Sequence, residues 1–313
     1  SLLDVNSIKR ADVLNIVPVT AMQSGLIFHA RSQPADLAYL EQVDFTLQGV
    51  ETEKLANAFQ RLLVEYPLLR AAFVVGDNGR TAQLIKAAVT LPIVSHDLTE
   101  LSPNEQQRVI NEARDADQQI QFDISQSPLM RVQLFTLQKP KAKSKQKPEQ
   151  RGAVHILWAH HHLVMDGWCV GILFDRLLSC YAEESGTDTS NALVTSVTNE
   201  QLNYDYYHWL ATRDKDATAD YWSTLLSGVE RPTRLLPWPQ LETETQVSKD
   251  AGYQLKRHEV QLSAELTASM QAWGASKSAT LSSIIRLTWG VLLARFTNSA
   301  DVVYGTVVSG RPA

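Results

Sequence analysis

An α/β (α+β) protein of two lobes is the fold class that this sequence predicts. Segments with the two-residue alternation of strands interleave along the chain with segments of helical periodicity. The 313 residues suit two domains or one large bilobed one. A polar, weakly patterned stretch at 185–199 separates an earlier patterned region from a later one and reads as a lobe boundary. The expected organisation is a linker at 1–12, an N-terminal lobe at 13–185 and the first part of a C-terminal lobe at 186–313.

The elements follow in order. Residues 13–19 are apolar and run into a loop at 18–23, after which 26–30 turns helical. Residues 39–47 alternate as a strand. Leu55, Ala58, Phe59, Leu62 and Leu63 recur on one helical face, and Pro67 closes that helix. A strand is expected at 69–75, with Gly76-Asp77-Asn78-Gly79 as its hairpin turn. A mostly polar helix at 103–119 precedes a strand at 129–137. Residues 139–151 hold six basic residues, two prolines and no large apolar one, the composition of a solvated loop. A contact for an acidic partner is the sharper alternative there.

Val154, Ile156 and Trp158 alternate with His155, Leu157 and Ala159, so a strand covers this segment. Val170, Leu173, Phe174, Leu177, Leu178 and Tyr181 form one helical stripe. Between them, His160-His161-His162-Leu163-Val164-Met165-Asp166-Gly167-Trp168 forms a strand-to-helix turn. Further on lie the aromatic clusters 204–209 and Tyr221-Trp222, and a loop marked by Pro232, Pro237 and Pro239. A strand is expected at 254–262. Ser263 is the expected N-cap of a helix carrying Leu266, Met270 and Trp273. A last helix at 281–296 leads to a strand at 302–308.

Composition narrows the classes of function. With 34 acidic and 29 basic residues the formal charge is -5, which argues against a nucleic-acid surface spread over the chain. Cys169 and Cys180 are the only cysteines and make no disulfide framework, which suits a reducing cytoplasm. No apolar run approaches about 18 residues, so no membrane span is expected. Residues 1–10 lack the apolar core of a signal peptide.

The histidine-rich turn is the candidate site. Each residue has a plain reading when taken singly: Asp166 as a helix N-cap, Gly167 as a turn glycine, a histidine as packing. Their joint spacing, His-His-x-x-x-Asp-Gly, argues for more, since a base, an orienting charge and a flexible backbone point are what acyl transfer needs together. Adjacent residues of an extended segment point to opposite sides, so His161 and His162 cannot both face one cavity. One is expected inside and the other toward substrate. Histidines in immediate succession do not converge on one metal ion, so no metal site is expected.

The motif and its flanks resemble the condensation domains of nonribosomal peptide synthetases, in the chloramphenicol-acetyltransferase-like superfamily. Pro18-Val19-Thr20-Ala21-Met22-Gln23-Ser24-Gly25-Leu26-Ile27-Phe28-His29 is similar to the first family motif, although Ser24 stands where many relatives carry an acidic residue. Tyr66-Pro67-Leu68-Leu69-Arg70-Ala71-Ala72-Phe73 resembles the second. The third, His161 to Gly167, is unaltered. Tyr204-Asp205-Tyr206-Tyr207-His208-Trp209 resembles the fourth, and Tyr304-Gly305-Thr306-Val307-Val308-Ser309-Gly310-Arg311-Pro312 a segment preceding the fifth.

The resemblance implies a two-lobed fold with mixed sheets flanked by helices. The fifth and later motifs are absent, so the second lobe is expected to be incomplete by roughly a third of a domain, and the chain alone to be inactive. The implied reaction is amide formation between a donor acyl or peptidyl thioester and an acceptor aminoacyl thioester. Each rides on the phosphopantetheine of a carrier domain, so no cofactor is expected in this chain. Donor and acceptor carrier domains and a neighbouring adenylation domain are the implied partners, with no nucleic acid and no membrane, in the cytoplasm.

His162 is implied as the reacting residue and Gly167 as a backbone point near the thioester. His161 is implied as the inward partner, and Asp166 as the ion-pair partner of Arg70. Trp168, Ser309, Met22 and Gln23 are candidates for the substrate channel. Met22 to His29 and Met165 to Cys169 are similar to the subgroup that takes donors ending in a D-residue, or to a mixed-chirality subgroup. An epimerization domain, a non-catalytic recruitment domain of the same fold and an acyltransferase using free acceptors or coenzyme A are the alternatives.

Overall fold

The computed structural model describes residues 2–6, 8–32, 37–76, 79–138, 152–186, 199–229, 233 and 259–308, without the side chains of 2, 5 and 199–204. The basic stretch at 139–151, most of the expected boundary at 185–199, the three loop prolines and Ser309 lie outside them. By proximity of its residues the chain forms two compact units, Ser1–Thr212 and Arg213–Ala313.

The first unit contains α1 (Leu2–Val5), β1 (Val13–Pro18), α2 (Ala21–Ser32), β2 (Leu40–Gln48), α3 (Thr52–Glu65), β3 (Ala71–Val75), β4 (Thr81–Lys86), β5 (Ile93–Asp97), α4 (Pro103–Asp117), β6 (Met130–Gln138), β7 (Ala153–His161), α5 (Gly167–Glu184) and α6 (Asn199–Ala211). One sheet has the order β1-β4-β3 and is antiparallel throughout. The other has the order β2-β7-β6-β5, with β5 parallel to β6 and the other pairs antiparallel. The architecture is thus α/β with a mixed sheet and flanking helices.

Strand β7 lies between β2 and β6, and every one of its residues is buried. Its alternation therefore separates two apolar faces rather than an apolar and a wet one. Val154, Ile156 and Trp158 pack with Leu55, Phe59 and Leu62 of α3 and Leu173 and Leu177 of α5. Leu157 packs on the other side with Phe135 and with Ile110 of α4.

Two starts differ from expectation. Helix α2 begins at Ala21 rather than near Leu26. The reason is a reciprocal cap: the Gln23 N–H donates to Thr20 Oγ1 at 3.1 Å, and the Thr20 N–H donates to Gln23 Oε1 at 2.9 Å. Strand β3 begins at Ala71, because Pro67–Arg70 forms a 3-10 turn with proline in its first turn. Helix α6 belongs to the first unit although it follows the polar stretch read as the boundary. Its Tyr207 hydroxyl accepts from Gln83 Nε2 at 2.6 Å and its ring is buried among Val17, Ile27 and Phe73.

The second unit holds α7 (Lys215–Leu225), α8 (Ala264–Ser276) and α9 (Leu281–Thr297). Asp214, Ser263 and Thr280 cap their N-termini, the second as expected. Helices α8 and α9 join in a tight turn, where a Cβ on Gly274 would sit 2.6 Å from the Ala279 carbonyl oxygen. Residues 302–308, expected as a strand, form no ladder among the described residues, and neither does the described end of 254–262. Strand-like composition makes a strand only where an edge offers hydrogen bonds. Among the described residues no helix is long and apolar enough to cross a membrane.

Trp158 is fully buried, and its indole N–H has no partner among the described residues. Trp158→Ala is expected to cost about 3–5 kcal/mol. Trp158→Phe removes the unsatisfied donor with a smaller loss of volume and is expected to cost under about 1.5 kcal/mol. Urea denaturation of the two variants measures the difference.

Candidate functional site

The site grows from the end of β7. In the antiparallel register Glu41 of β2 stands opposite His160, and Leu40 opposite His161. Side chains two apart share a face, so His160 and His162 project on the side of Trp158, and His161 on the side of Leu157. Backbone hydrogen bonds carry the extended geometry past the strand. The His161 N–H donates to Leu129 O and the His162 N–H to Tyr39 O, both at 2.9 Å.

The three histidines occupy different surroundings. His160 is fully enclosed and His161 is 7% exposed, whereas the His162 side chain is 34% exposed. His161 thus lies inside and His162 is the accessible member of the pair. The His161 ring packs near Tyr39 and Phe122, and its Nδ1 accepts the Leu163 N–H at 3.1 Å. Burial pushes its pKa down to about 4, with His162 and His160 acting in the same direction, so the ring is neutral near pH 7. A small cavity of about 50 Å³ opens beside it, lined by His29, Tyr39 and Phe122 among others.

Glu41 is a functional candidate that the sequence alone did not single out. Its Oε1 lies 2.7 Å from His162 Nδ1 and its Oε2 lies 3.3 Å from His160 Nε2. Neither ring N–H is aligned on the carboxylate, so the contacts act through charge rather than as well-formed hydrogen bonds. The close approach of His160, followed by the charges of both histidines, holds the Glu41 carboxyl below the usual range, against the opposing effect of burial. One signal was available. Val43, Phe45 and Leu47 share Glu41's face of β2, and a carboxylate on an otherwise apolar face calls for a partner.

The turn is completed by Asp166 and Gly167. Asp166 is the N-cap of α5, its Oδ1 accepting the Cys169 N–H at 3.0 Å. Arg70 is buried and donates to the backbone carbonyls of Lys86 at 2.9 Å, Val64 at 3.0 Å and Leu63. These three bonds close the backbone between α3 and β4 and use part of the guanidinium's donor set. Gly167 opens α5 without a positive φ, and an added Cβ there would meet nothing within 4 Å. Neither packing nor backbone conformation requires glycine at this point.

The channel candidates divide. Trp168 is 49% and Met22 72% exposed. Gln23 instead turns its amide inward, donating to Leu163 O at 3.1 Å and exchanging hydrogen bonds with Gln83 at 3.1 and 2.9 Å. It ties the start of α2 to the histidine turn and has no amide hydrogen left for a ligand. Ser309 lies outside the described residues. Among the described residues no three His, Cys, Asp or Glu side chains are grouped to hold a metal ion.

Known proteins supply the context for this geometry. The family model described as Condensation domain matches residues 13–313. Bacitracin synthase 3 of Bacillus licheniformis is 29% identical over 100% of this chain and 5% of its own length. Tyrocidine synthase 2 of Brevibacillus parabrevis is 29% identical over 97% of this chain and 8% of its own length. The chain thus spans a small part of these relatives. A solved structure of the first condensation domain of the calcium-dependent antibiotic synthetase, in complex with a substrate analogue, matches with a TM-score of 0.65 at 16% identity. That match covers 92% of this chain and 62% of the other, and it shows the shared fold.

The depressed pKa of His161 makes stability depend on pH. The unfolded chain takes up this proton near the ordinary value of about 6.5, the folded chain only near about 4. Between those values the unfolded state binds more protons, so stability falls as pH falls and the loss levels off below about 4. The full effect is at most about 3 kcal/mol. His155, also shifted down by burial, adds to the same window, whereas the lowered carboxylates Glu41, Glu65 and Glu183 lose stability only at lower pH. Urea denaturation between pH 7 and 4 is expected to show the decline, and His161→Asn to flatten most of it.

Proposed function

This chain belongs to the condensation-domain family, and on that premise we propose that it forms a peptide bond between two carrier-tethered substrates. The observation that carries the proposal is the single accessible histidine of an intact His-His-x-x-x-Asp-Gly turn, with its neighbours enclosed. The α-amine of the acceptor aminoacyl thioester attacks the donor thioester carbonyl carbon. A C–N bond forms, the C–S bond breaks, and the donor carrier is released as its free thiol. The lengthened chain then sits on the acceptor carrier.

The amine needs little help to become neutral, since its ordinary pKa of about 7.7–8.0 puts the cost near 1 kcal/mol at pH 7. Two tasks remain: alignment, and transfer of one proton from the attacking nitrogen toward the departing sulfur. His162 is the group suited to take that proton and return it. His162 Nδ1 is buried against Glu41, so the exposure of the ring lies on its other edge, which carries Nε2. Gly167, whose missing side chain leaves open space at the start of α5, gives the thioester room beside the turn. Its N–H is one donor for the developing oxyanion, and a single donor makes a weak oxyanion hole. Asp166, by capping α5, fixes the geometry of the turn. The clamp between Asp166 and Arg70 belongs to the proposal, as do the lobe division near 185, a cytoplasmic setting, and donor and acceptor carrier domains with an adenylation domain alongside. The phosphopantetheine belongs to the carriers, and the chemistry needs no cofactor in this chain.

Met22 to His29 and Met165 to Cys169 support a donor ending in a D-residue as the finer reading, with a mixed-chirality donor as its alternative. Extension assays with matched D- and L-terminated donors are expected to favour the D-form, and equal or reversed use overturns that refinement. Epimerization predicts instead that a carrier-bound L-residue presented alone changes chirality. For the reaction itself, His162→Ala is expected to lower transfer by about 10²–10⁴-fold with the fold retained. The assay presents both carrier-bound substrates to the protein that carries this chain, and unchanged turnover rules out a direct role for His162.

A further inference from the structure

We propose that Glu41 is a positioning residue for peptide-bond formation, holding His162 with its Nδ1 protonated and its Nε2 free to accept the proton of the attacking amine. The inference rests on the reading of the function given above and adds to it the group that sets the histidine's tautomer. A carboxylate oxygen 2.7 Å from Nδ1 favours the tautomer with its hydrogen on that nitrogen, because the N–H end of the ring is the positive one even where the N–H does not point straight at the oxygen. Nδ1 therefore carries the hydrogen, and the acceptor of the neutral ring is Nε2 on the accessible edge. When the ring takes up the amine proton, it becomes a cation beside an anion that is already in place. No side chain moves to stabilise it.

The carboxylate is itself fixed from two directions. β2 pairs with β7 across the whole of both strands, so the Glu41 backbone is held in register with His160. His160, fully buried, lies 3.3 Å from the second oxygen. That contact leaves one oxygen beside each histidine and keeps Oε1 next to Nδ1. The arrangement is a base, an orienting carboxylate and a buried anchor. All three project on the same face of two adjacent strands. Asp166 serves a different end of the turn, where its Oδ1 accepts the Cys169 N–H of its own helix.

Glu41→Leu removes the charge and puts an apolar side chain on a face already lined by Val43, Phe45 and Leu47. In the protein that carries this chain, supplied with carrier-tethered donor and acceptor, kcat is expected to fall by about 10- to 100-fold with KM for both carriers unchanged. A buried orienting carboxylate can be worth more, up to about 10⁴-fold, and Glu41 is 40% exposed. Nitrogen-15 NMR of labelled histidines, with the His162 signals identified from the His162→Ala variant, reads the tautomer directly. The wild-type ring is expected to carry its hydrogen on Nδ1, and the variant to shift toward Nε2. If Glu41→Leu does not fold, Glu41→Gln carries the same test with a smaller fall in kcat. A kcat within twofold of wild type overturns the proposal, as does a wild-type hydrogen on Nε2. A fall in kcat without a change of tautomer overturns it too, because Glu41 would then act only through the fold. Loss of transfer in His162→Ala beside a normal Glu41→Leu sinks this proposal alone, whereas normal transfer in His162→Ala sinks the peptide-bond reading itself.

Discussion

The two-residue period of β7, imposed on a strand that is covered on both sides, is the constraint from which the site follows. Because β2 and β6 take its backbone groups and helices cover both faces, the strand cannot slip by one residue without exchanging every side chain between two differently packed layers. His160 and His162 then stand over the α3 and α5 side and His161 over the other. The difference between an inert histidine and an accessible one thus arises from register. Identical side chains three in a row acquire three environments, and only the last reaches solvent to a useful degree.

The turn itself is held from both ends. Its N-terminal end is the last pair of β2–β7 hydrogen bonds, and its C-terminal end is the Asp166 cap of α5. Helix α5 is in turn fixed to α3 by an ion network. Arg176 meets Glu65 at 2.6 Å and Glu183 at 2.8 Å, and Arg61 meets Glu183 at 2.5 Å. Partly exposed pairs contribute little each, and their worth here is geometric, since a bidentate arginine fixes one helix against another. Cys180 lies under this network with its thiol pushed up to about 11 by burial, which keeps it a packing group rather than a nucleophile. Gln23 adds a third restraint by donating to Leu163 O inside the turn. A loop secured at its strand, its helix and its middle holds the His162 side chain in one place.

Much of this was legible in the sequence, for identifiable reasons. Strand β7, helix α5 and helix α3 carry strong periodicities, because each buries a full face. That His161 and His162 face opposite sides followed from strand geometry, and which of them lies inside came from the family resemblance. The short strand β5 has little pattern, with one apolar pair in five residues, and it gains its place by parallel pairing with β6. The Thr20–Gln23 cap was written in the sequence but hidden within a segment that reads as a loop. Residues 302–308 show the opposite failure, since they are rich in valine and yet form no ladder among the described residues. Composition proposes a strand there, and only a partner strand could make one.

Glu41 was not legible from the motif, because it comes from β2, far earlier in the chain, and meets the histidines only through the pairing of β2 with β7. A pattern read along one segment is blind to such pairs until the strand order is known. A general consequence concerns which residues share a selective burden. The side chains that face His162 and His160 are set by that pairing, so a substitution at Glu41 and one in the histidine turn change the same cluster of side chains. Changes at Arg70 or Gln23 act on the backbone that carries it. The first kind changes the side chains of the cluster directly, and the second reaches it only through the backbone that holds it.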